Sequence, residues 1–252
     1  MQIFDELDST QIEAKRQIDL KKIIIEDAIL AKKQTAGVST KKDYPWVSKE
    51  GDLNVSIILN TKYLLQNGNL STKLLSFPAG LAMLDEILNV KEKSGKNFKP
   101  VLKWPNDILI ERDGIYRKIC GILCENYKDH FIIGIGCNLV SHPEKTGCFP
   151  ATDLLSESDV KLDCIELAKN VITSFKNNVK QMQMYGFAGI KNRWKQHAYM
   201  LGETLLLRDG GEIRFEDIDN DGCIIGKNRD GNMQVIKGSN EVIGGRQKNK
   251  NY

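Results

Sequence analysis

Between Lys103 and Asn138 three apolar runs follow one another with so little chain between them that paired strands are the natural way to hold them. Residues 107–110 and 115–123 flank Asp113-Gly114, a two-residue hairpin signal. Residues 131–138, rich in isoleucine and glycine, read as the following strand. Upstream, Pro105 cannot donate a ladder bond and biases Trp104 towards extended backbone. Lys103-Trp104-Pro105-Asn106 therefore reads as the end of one strand turning into the next. The polar residues of this stretch make little sense as surface. Lys103, the pair Asn106-Asp107 and Lys118 are expected to meet beside a small-residue strand, with the two lysines on neighbouring strands.

The remaining chain supplies helices and further strands. Residues 3–7 read as a short strand, and Thr10-Gln11-Ile12-Glu13 has the capping-box form that opens a helix to about residue 19. On that reading Thr10 caps the helix and Ser9 is left to point into a site. Strands are expected over 23–31 and 53–59, with a polar loop over 32–52 between them. Leu74, Phe77, Leu81, Leu84 and Leu88 recur at helical spacing, with Pro78 tolerated in the first turn. Helices are expected over 162–184 and 187–197. Beyond Leu201 the turn signals Asp209-Gly210-Gly211, Asn220-Asp221-Gly222 and Asp230-Gly231 cut the chain into short runs, the pattern of a small antiparallel barrel. The expected organisation is residues 1–200 as the larger domain, 201–246 as the barrel and 247–252 as a solvated basic tail.

Charge argues against several functions. Lys and Arg number 36 against 33 Asp and Glu, and a net charge of +3 is too small to imply nucleic acid or an anionic membrane. No apolar run approaches the ~20 residues of a bilayer span, and the first residues lack the form of a signal peptide, so the cytoplasm is the expected compartment. The six cysteines are not spaced like zinc ligands, and none of the three histidines has a ligand-like neighbour. Reduced core cysteines and no dedicated protein metal site are expected.

Neither common nucleotide motif is present. Gly134-x-Gly136 lacks the third glycine and following helix of a dinucleotide fingerprint, and no phosphate-binding Gly-x-x-x-x-Gly-Lys-Ser/Thr occurs. Two lysines in a sheltered pocket suit a phosphate or a carboxylate under attack, and glycines 121, 134 and 136 let a ligand lie against backbone. By themselves these residues indicate an anionic small molecule bound on a sheet.

Lys103-Trp104-Pro105-Asn106-Asp107, then Arg117-Lys118-x-x-Gly121-Ile122-Leu123-x-Glu125 and Gly134-Ile135-Gly136-x-Asn138, resemble the signature of biotin protein ligases. Asp8-Ser9-Thr10, Gln34-Thr35-Ala36-Gly37, Gly51-x-Leu53-x-x-Ser56 and Pro150-Ala151-Thr152 follow the same family order. The resemblance spans most of residues 3–240. It implies an α+β fold: a mixed, mostly antiparallel sheet packed with helices, like class II aminoacyl-tRNA synthetases, plus a small SH3-like barrel. It also implies a cytoplasmic ligase that joins biotin and ATP, with Mg2+ carried by the nucleotide, into biotinyl-5′-AMP. The biotinyl group then passes to a lysine of a biotin carboxyl carrier domain. By the same resemblance Ser9, Thr10, Gln34, Lys118 and Gly121 hold biotin, with Lys118 at its carboxylate. Lys103, Asn106, Asn138, Lys41 and Lys42 face the nucleotide, and Lys103, Lys118 and Asp107 carry the chemistry. Asp107 paired with Lys103 as a purely structural ion pair is the competing reading of that residue, and Trp104 is taken as core.

Three alternatives are weighed. A lipoate or octanoate ligase or transferase of the same superfamily also joins a carboxylate to a carrier lysine; the pentapeptide and the C-terminal barrel favour biotin. A non-catalytic biotin-binding module is disfavoured because both lysines are retained. A repressor role needs a DNA-binding helix-turn-helix ahead of the first strand, and none is expected there, so no DNA partner is anticipated. Monomer and homodimer are not distinguished. One departure from the family stands out: its arginine- and glycine-rich loop is replaced here by Val38-Ser39-Thr40-Lys41-Lys42-Asp43-Tyr44-Pro45. Lysine lacks the bidentate fork that arginine offers a phosphate.

Overall fold

A computed structural model describes residues 1–23, 26–40, 45–64, 72–144, 148–238 and 241–245. Seven strands form the main sheet: β1 (Gln2–Leu7), β2 (Glu26–Gln34), β3 (Leu53–Asn60), β4 (Lys99–Lys103), β5 (Asp107–Arg112), β6 (Ile115–Tyr127) and β7 (His130–Cys137). Their order is β1-β2-β3-β7-β6-β5-β4. Only the edge pair β1–β2 is parallel. The expected hairpin is present, with Asp113 and Gly114 both at positive φ (55° and 75°), as a two-residue primed turn requires. The strand expected over 23–31 instead runs to Gln34, so the following loop is shorter than anticipated; Ile24 and Ile25 lie outside the described residues.

Period-two alternation gives the sheet two different faces. Val55, Ile57, Ile133, Ile135, Cys120 and Ile122 pack on one side into the main core, under α3 (Ser76–Ser94) and α5 (Cys164–Tyr185). The opposite side receives α1 (Thr10–Asp19), whose Ala14 and Ile18 pack on Ile29, Ile58 and Ile132. Beyond α1 that second face carries Asn54, Ser56, Gly121, Gly134 and Gly136, and this is where the cavity opens.

A short α2 (Thr61–Leu64) follows β3, and the expected α3 starts at Ser76, after a 3-10 turn (Thr72–Leu75), with Pro78 in its first turn; left-handed Gly95 ends it. A short α4 (Leu154–Ser158), not anticipated, precedes α5, and α6 spans Ala188–Gln196. The C-terminal runs form β8 (Thr204–Leu207), β9 (Glu212–Ile218), β10 (Ile224–Asn228), β11 (Met233–Ile236) and β12 (Val242–Gly245), an antiparallel sheet in the order β11-β10-β9-β8-β12. Its Leu205, Ile213, Phe215 and Ile224 join the same apolar cluster as the main core. Trp104 is buried as expected and its Nε1 donates to Gly222 O at 2.7 Å. Gly222 must be glycine: its φ is 78°, and a Cβ there would meet Leu74 and Phe77 at 2.9 Å.

Among the described residues no helix is long and apolar enough to cross a membrane, and no cluster of three or more His, Cys, Asp or Glu could hold a metal ion. All six cysteines are free thiols; Cys120, Cys137 and Cys223 are buried.

Candidate active site

A cavity open to solvent lies on the α1 side of the main sheet. Its two ends differ in chemistry.

The charged end is built by Asp107 on β5 and Lys118 on β6, which line the cavity; Lys103 on β4 is not part of the lining and stands behind Asp107. Lys103 and Lys118 are not on neighbouring strands, as the sequence suggested; β5 runs between them and puts Asp107 at the centre. Asp107 Oδ1 lies 2.6 Å from Lys118 Nζ and Oδ2 lies 3.3 Å from Lys103 Nζ. Burial pushes the Asp107 carboxyl up, but the Lys118 and Lys103 ammonium groups outweigh it and hold the pKa below its ordinary value. The ion pair with Lys103 weighed from sequence is therefore real, and the shorter one is with Lys118.

A bulge sets which residues share this end. Ile108 pairs with Cys120 and Leu109 with Lys118, so Ile119 is the extra residue on β6. In a regular strand Lys118 and Gly121, three apart, face opposite sides. The bulge reverses the alternation and turns both to the cavity, so that a Cβ on Gly121 would meet Lys118 Nζ at 3.2 Å. The Lys118 backbone is clamped as well: its N–H donates to Pro150 O (2.7 Å) and its carbonyl accepts from Thr152 N (3.0 Å).

Asn138 belongs to that clamp. It is buried, donates from Nδ2 to Thr152 O at 2.9 Å and from its backbone to Ile119 O, and its side chain is absent from the cavity lining, so it sits behind the bulge. Asn106 does line the cavity, with its amide donating to Ile122 O at 2.6 Å. Lys41 and Lys42 lie outside the described residues, as do Asp43 and Tyr44.

The neutral polar end is formed by α1, β2 and β3. Here the sequence reading of the cap is reversed. Ser9 is the N-cap, extended at φ −158° with Oγ accepting from Gln11 N, and Thr10 is the first helical residue. The Thr10 hydroxyl reaches the interior, 2.8 Å from Ser56 Oγ and 3.2 Å from Gln34 Oε1, while Thr10 N–H donates to Gln34 Oε1 at 2.8 Å. Both Ser9 and Thr10 line the cavity. Gln34 Nε2 and Trp46 Nε1 both donate to Asn54 Oδ1, each at 3.2 Å.

Among the polar lining residues on α1 and β3, Gln11, Asn54 and Ser56 have no role in the sequence reading. The available signal was register, because Asn54 and Ser56 are polar at alternate positions of a strand that is otherwise apolar up to its last residue, Asn60. The glycines also behave differently from expectation. A Cβ at Gly136 would lie 2.4 Å from the Trp46 indole, and one at Gly134 would lie 2.8 Å from Gln11 Oε1. Their missing side chains make room for Trp46 and Gln11, while Gly121 faces both Lys118 and Trp46, each 3.2 Å from where a Cβ would stand.

The chain that carries this cavity, with Asp107 and Lys118 at one end backed by Lys103 and a hydrogen-bonded amide and hydroxyl cluster at the other, is similar to known proteins in sequence and in fold. Residues 3–138 match the model of the biotin/lipoate A/B protein ligase family. Over 229 residues the chain is 30% identical to the biotin–[acetyl-CoA-carboxylase] ligase of Paracoccus denitrificans, covering 86% of this chain and 90% of that one. The chain belongs to this family, and within it to the biotin protein ligases. It is 27% identical to the bifunctional ligase/repressor BirA of Bacillus subtilis and spans 65% of that protein's length. Among solved structures, the biotin protein ligase of Aquifex aeolicus in complex with biotin and ATP superposes with a TM-score of 0.75 at 27% identity, covering 98% of both chains. For this biotin protein ligase the mixed sheet with a small C-terminal sheet is thus the family fold.

Proposed function

We propose that the protein activates biotin with ATP to give biotinyl-5′-AMP and pyrophosphate, then transfers the biotinyl group to a lysine of a biotin carboxyl carrier domain. The observation that carries this reading is the two-ended cavity, with Asp107 and Lys118 lining one end, backed by Lys103, and Thr10, Gln34, Asn54 and Ser56 lining the other. A ligand with a carboxylate and a neutral cyclic urea separated by an alkyl chain is complementary to both.

In the first step a biotin carboxylate oxygen attacks the α-phosphorus of ATP, and the bond from that phosphorus to pyrophosphate breaks. Lys118 neutralises the carboxylate and the α-phosphate oxygens as they approach, and Lys103 offsets charge on the phosphate. In the second step the acceptor amine attacks the carbonyl carbon, AMP leaves and the amine loses a proton. A carboxyl held below its ordinary pKa is a weak base, so Asp107 supports orientation of the two lysines better than proton removal. Asn138 contributes by holding the 150–152 strap against Lys118, in place of the nucleotide contact read from sequence. Mg2+ would be held by the phosphates of ATP, not by a dedicated set of residues of this chain, and would offset their charge during adenylation. The division into a catalytic unit (1–200), a small C-terminal unit (201–246) and a tail remains part of this proposal.

Incubation with biotin and radiolabelled ATP, followed by a purified carrier domain, tests the sequence of steps. Labelled adenylate that disappears on adding the acceptor is expected, and no adenylate overturns it. Replacing biotin with lipoate in the same assay separates the sister activity, for which no product is expected.

Two further outcomes follow. Val38–Pro45 replaces an arginine-rich loop with lysine, so biotinyl-adenylate is expected to dissociate faster here than from an arginine-loop relative at matched salt; equal or slower release refutes this. Sequence-specific DNA binding is not expected at a net charge of +3, and a gel shift with biotin-operon DNA at physiological salt should be blank. A discrete sequence-dependent shift contradicts that.

A further inference from the structure

Gln11 is 2% exposed and its amide can point only one way. One end of the group faces acceptors alone: Glu125 Oε2 at 2.9 Å, and the carbonyls of Leu123 and Ile132 at 3.4 Å. That end is the NH2 group, since a carbonyl oxygen there would face three other lone-pair groups. The amide oxygen is therefore fixed 2.7 Å from Ser56 Oγ.

This orientation propagates. Ser56 has one proton, and Gln11 Oε1 receives it, so Ser56 Oγ presents lone pairs to Thr10 Oγ1 at 2.8 Å. The Thr10 proton then goes to Ser56 or to Gln34 Oε1, and in either case Thr10 Oγ1 offers the cavity only lone pairs. Beside it Ser9 Oγ accepts from Gln11 N–H at 3.2 Å and keeps its own proton for the cavity. The result is an acceptor next to a donor, complementary to the N–H and C=O of a cyclic urea. A thioether, dithiolane or alkyl end has neither group.

We propose that Gln11, held by Glu125, is a specificity-determining positioning residue that sets the direction of the Ser56–Thr10 hydrogen-bond chain for a cyclic urea. Glu125 stands on β6 at the outer end of this relay, paired with Lys15 at 2.9 Å and partly exposed, so it acts through Gln11 and not on the ligand. The inference rests on the proposed function, because it concerns the ring end of the same ligand.

Calorimetric titration of biotin into the unaltered protein comes first, and absence of binding there removes the proposed function and this inference with it. With binding established, Gln11→Met, which keeps length and volume, is expected to raise KM for biotin about tenfold or more, as for a lost or mismatched buried hydrogen bond. At saturating biotin, kcat and KM for ATP stay within about twofold. Glu125→Ala raises the same KM by a smaller factor, and Glu125→Gln, whose amide oxygen still accepts, restores most of that loss. A KM for biotin within about twofold in Gln11→Met overturns the inference alone. So does a parallel fall in kcat and ATP affinity, which marks general damage to the site.

Discussion

Lys118→Ala is expected to lower biotinyl-adenylate formation by about 10² to 10³, the usual cost of losing a charge-assisted contact to a phosphate in a sheltered site. Folding is expected to survive. Lys118 is held mainly through its backbone, between Pro150 and Thr152, and those bonds remain in the variant. The fate of Asp107 gives a second readout. Its pKa is lowered in the folded protein, so the stability it contributes is present above the unfolded-state pKa and is lost as pH falls through the folded value. Removing Lys118 leaves only Lys103, at 3.3 Å, and moves the Asp107 pKa upwards. The stability difference between the two proteins should then be present at neutral pH and disappear in acid, once Asp107 is protonated in both. Denaturant midpoints across pH and single-turnover adenylation measure the two effects. Near-normal adenylation in the variant sinks the assignment of Lys118.

Phe77→Ala is expected to destabilise the protein by about 3–5 kcal/mol, the range for removing a large buried aromatic. Phe77 is 1% exposed and stands where several elements meet. Its ring packs edge-on against Phe187 (centroids 4.8 Å apart) and tilted against Trp194 (5.0 Å), and it lies under the Gly222 turn of the C-terminal sheet. Because that sheet shares the main apolar cluster, the loss should appear as one cooperative transition moved to lower denaturant. An early separate transition of the C-terminal sheet, with the remainder unchanged, contradicts the shared-core account. A shift below about 1 kcal/mol contradicts the packing argument itself.

Local chemistry was enough to read the strands and helices, because periodicity and turn residues act between neighbours in the chain. Asp113-Gly114 marks the two-residue turn between β5 and β6 from its own residue types, and α3 follows from its own leucine spacing. The pentapeptide at 103–107 and the second lysine likewise mark the charged end through residue type alone. The sequence by itself therefore determined most of the elements, the family and the charged residues of the site, but not the short α4. What it left undecided were contacts between residues far apart in the chain. That Lys118 and Gly121 share a face depends on one unpaired residue, Ile119, whose place is set by pairing with β5 and by the bond from Asn138. Ser9, not Thr10, became the cap, because Thr10 is drawn inward by Gln34 and Ser56, which no spacing within 8–13 reveals. The glycines at 134 and 136 advertise empty space, but only the closed sheet shows that Gln11 and Trp46 take it. Such choices follow from which side chains reach a gap first and fill it without strain, and that is settled by the packed tertiary structure and not by any stretch of chain read alone.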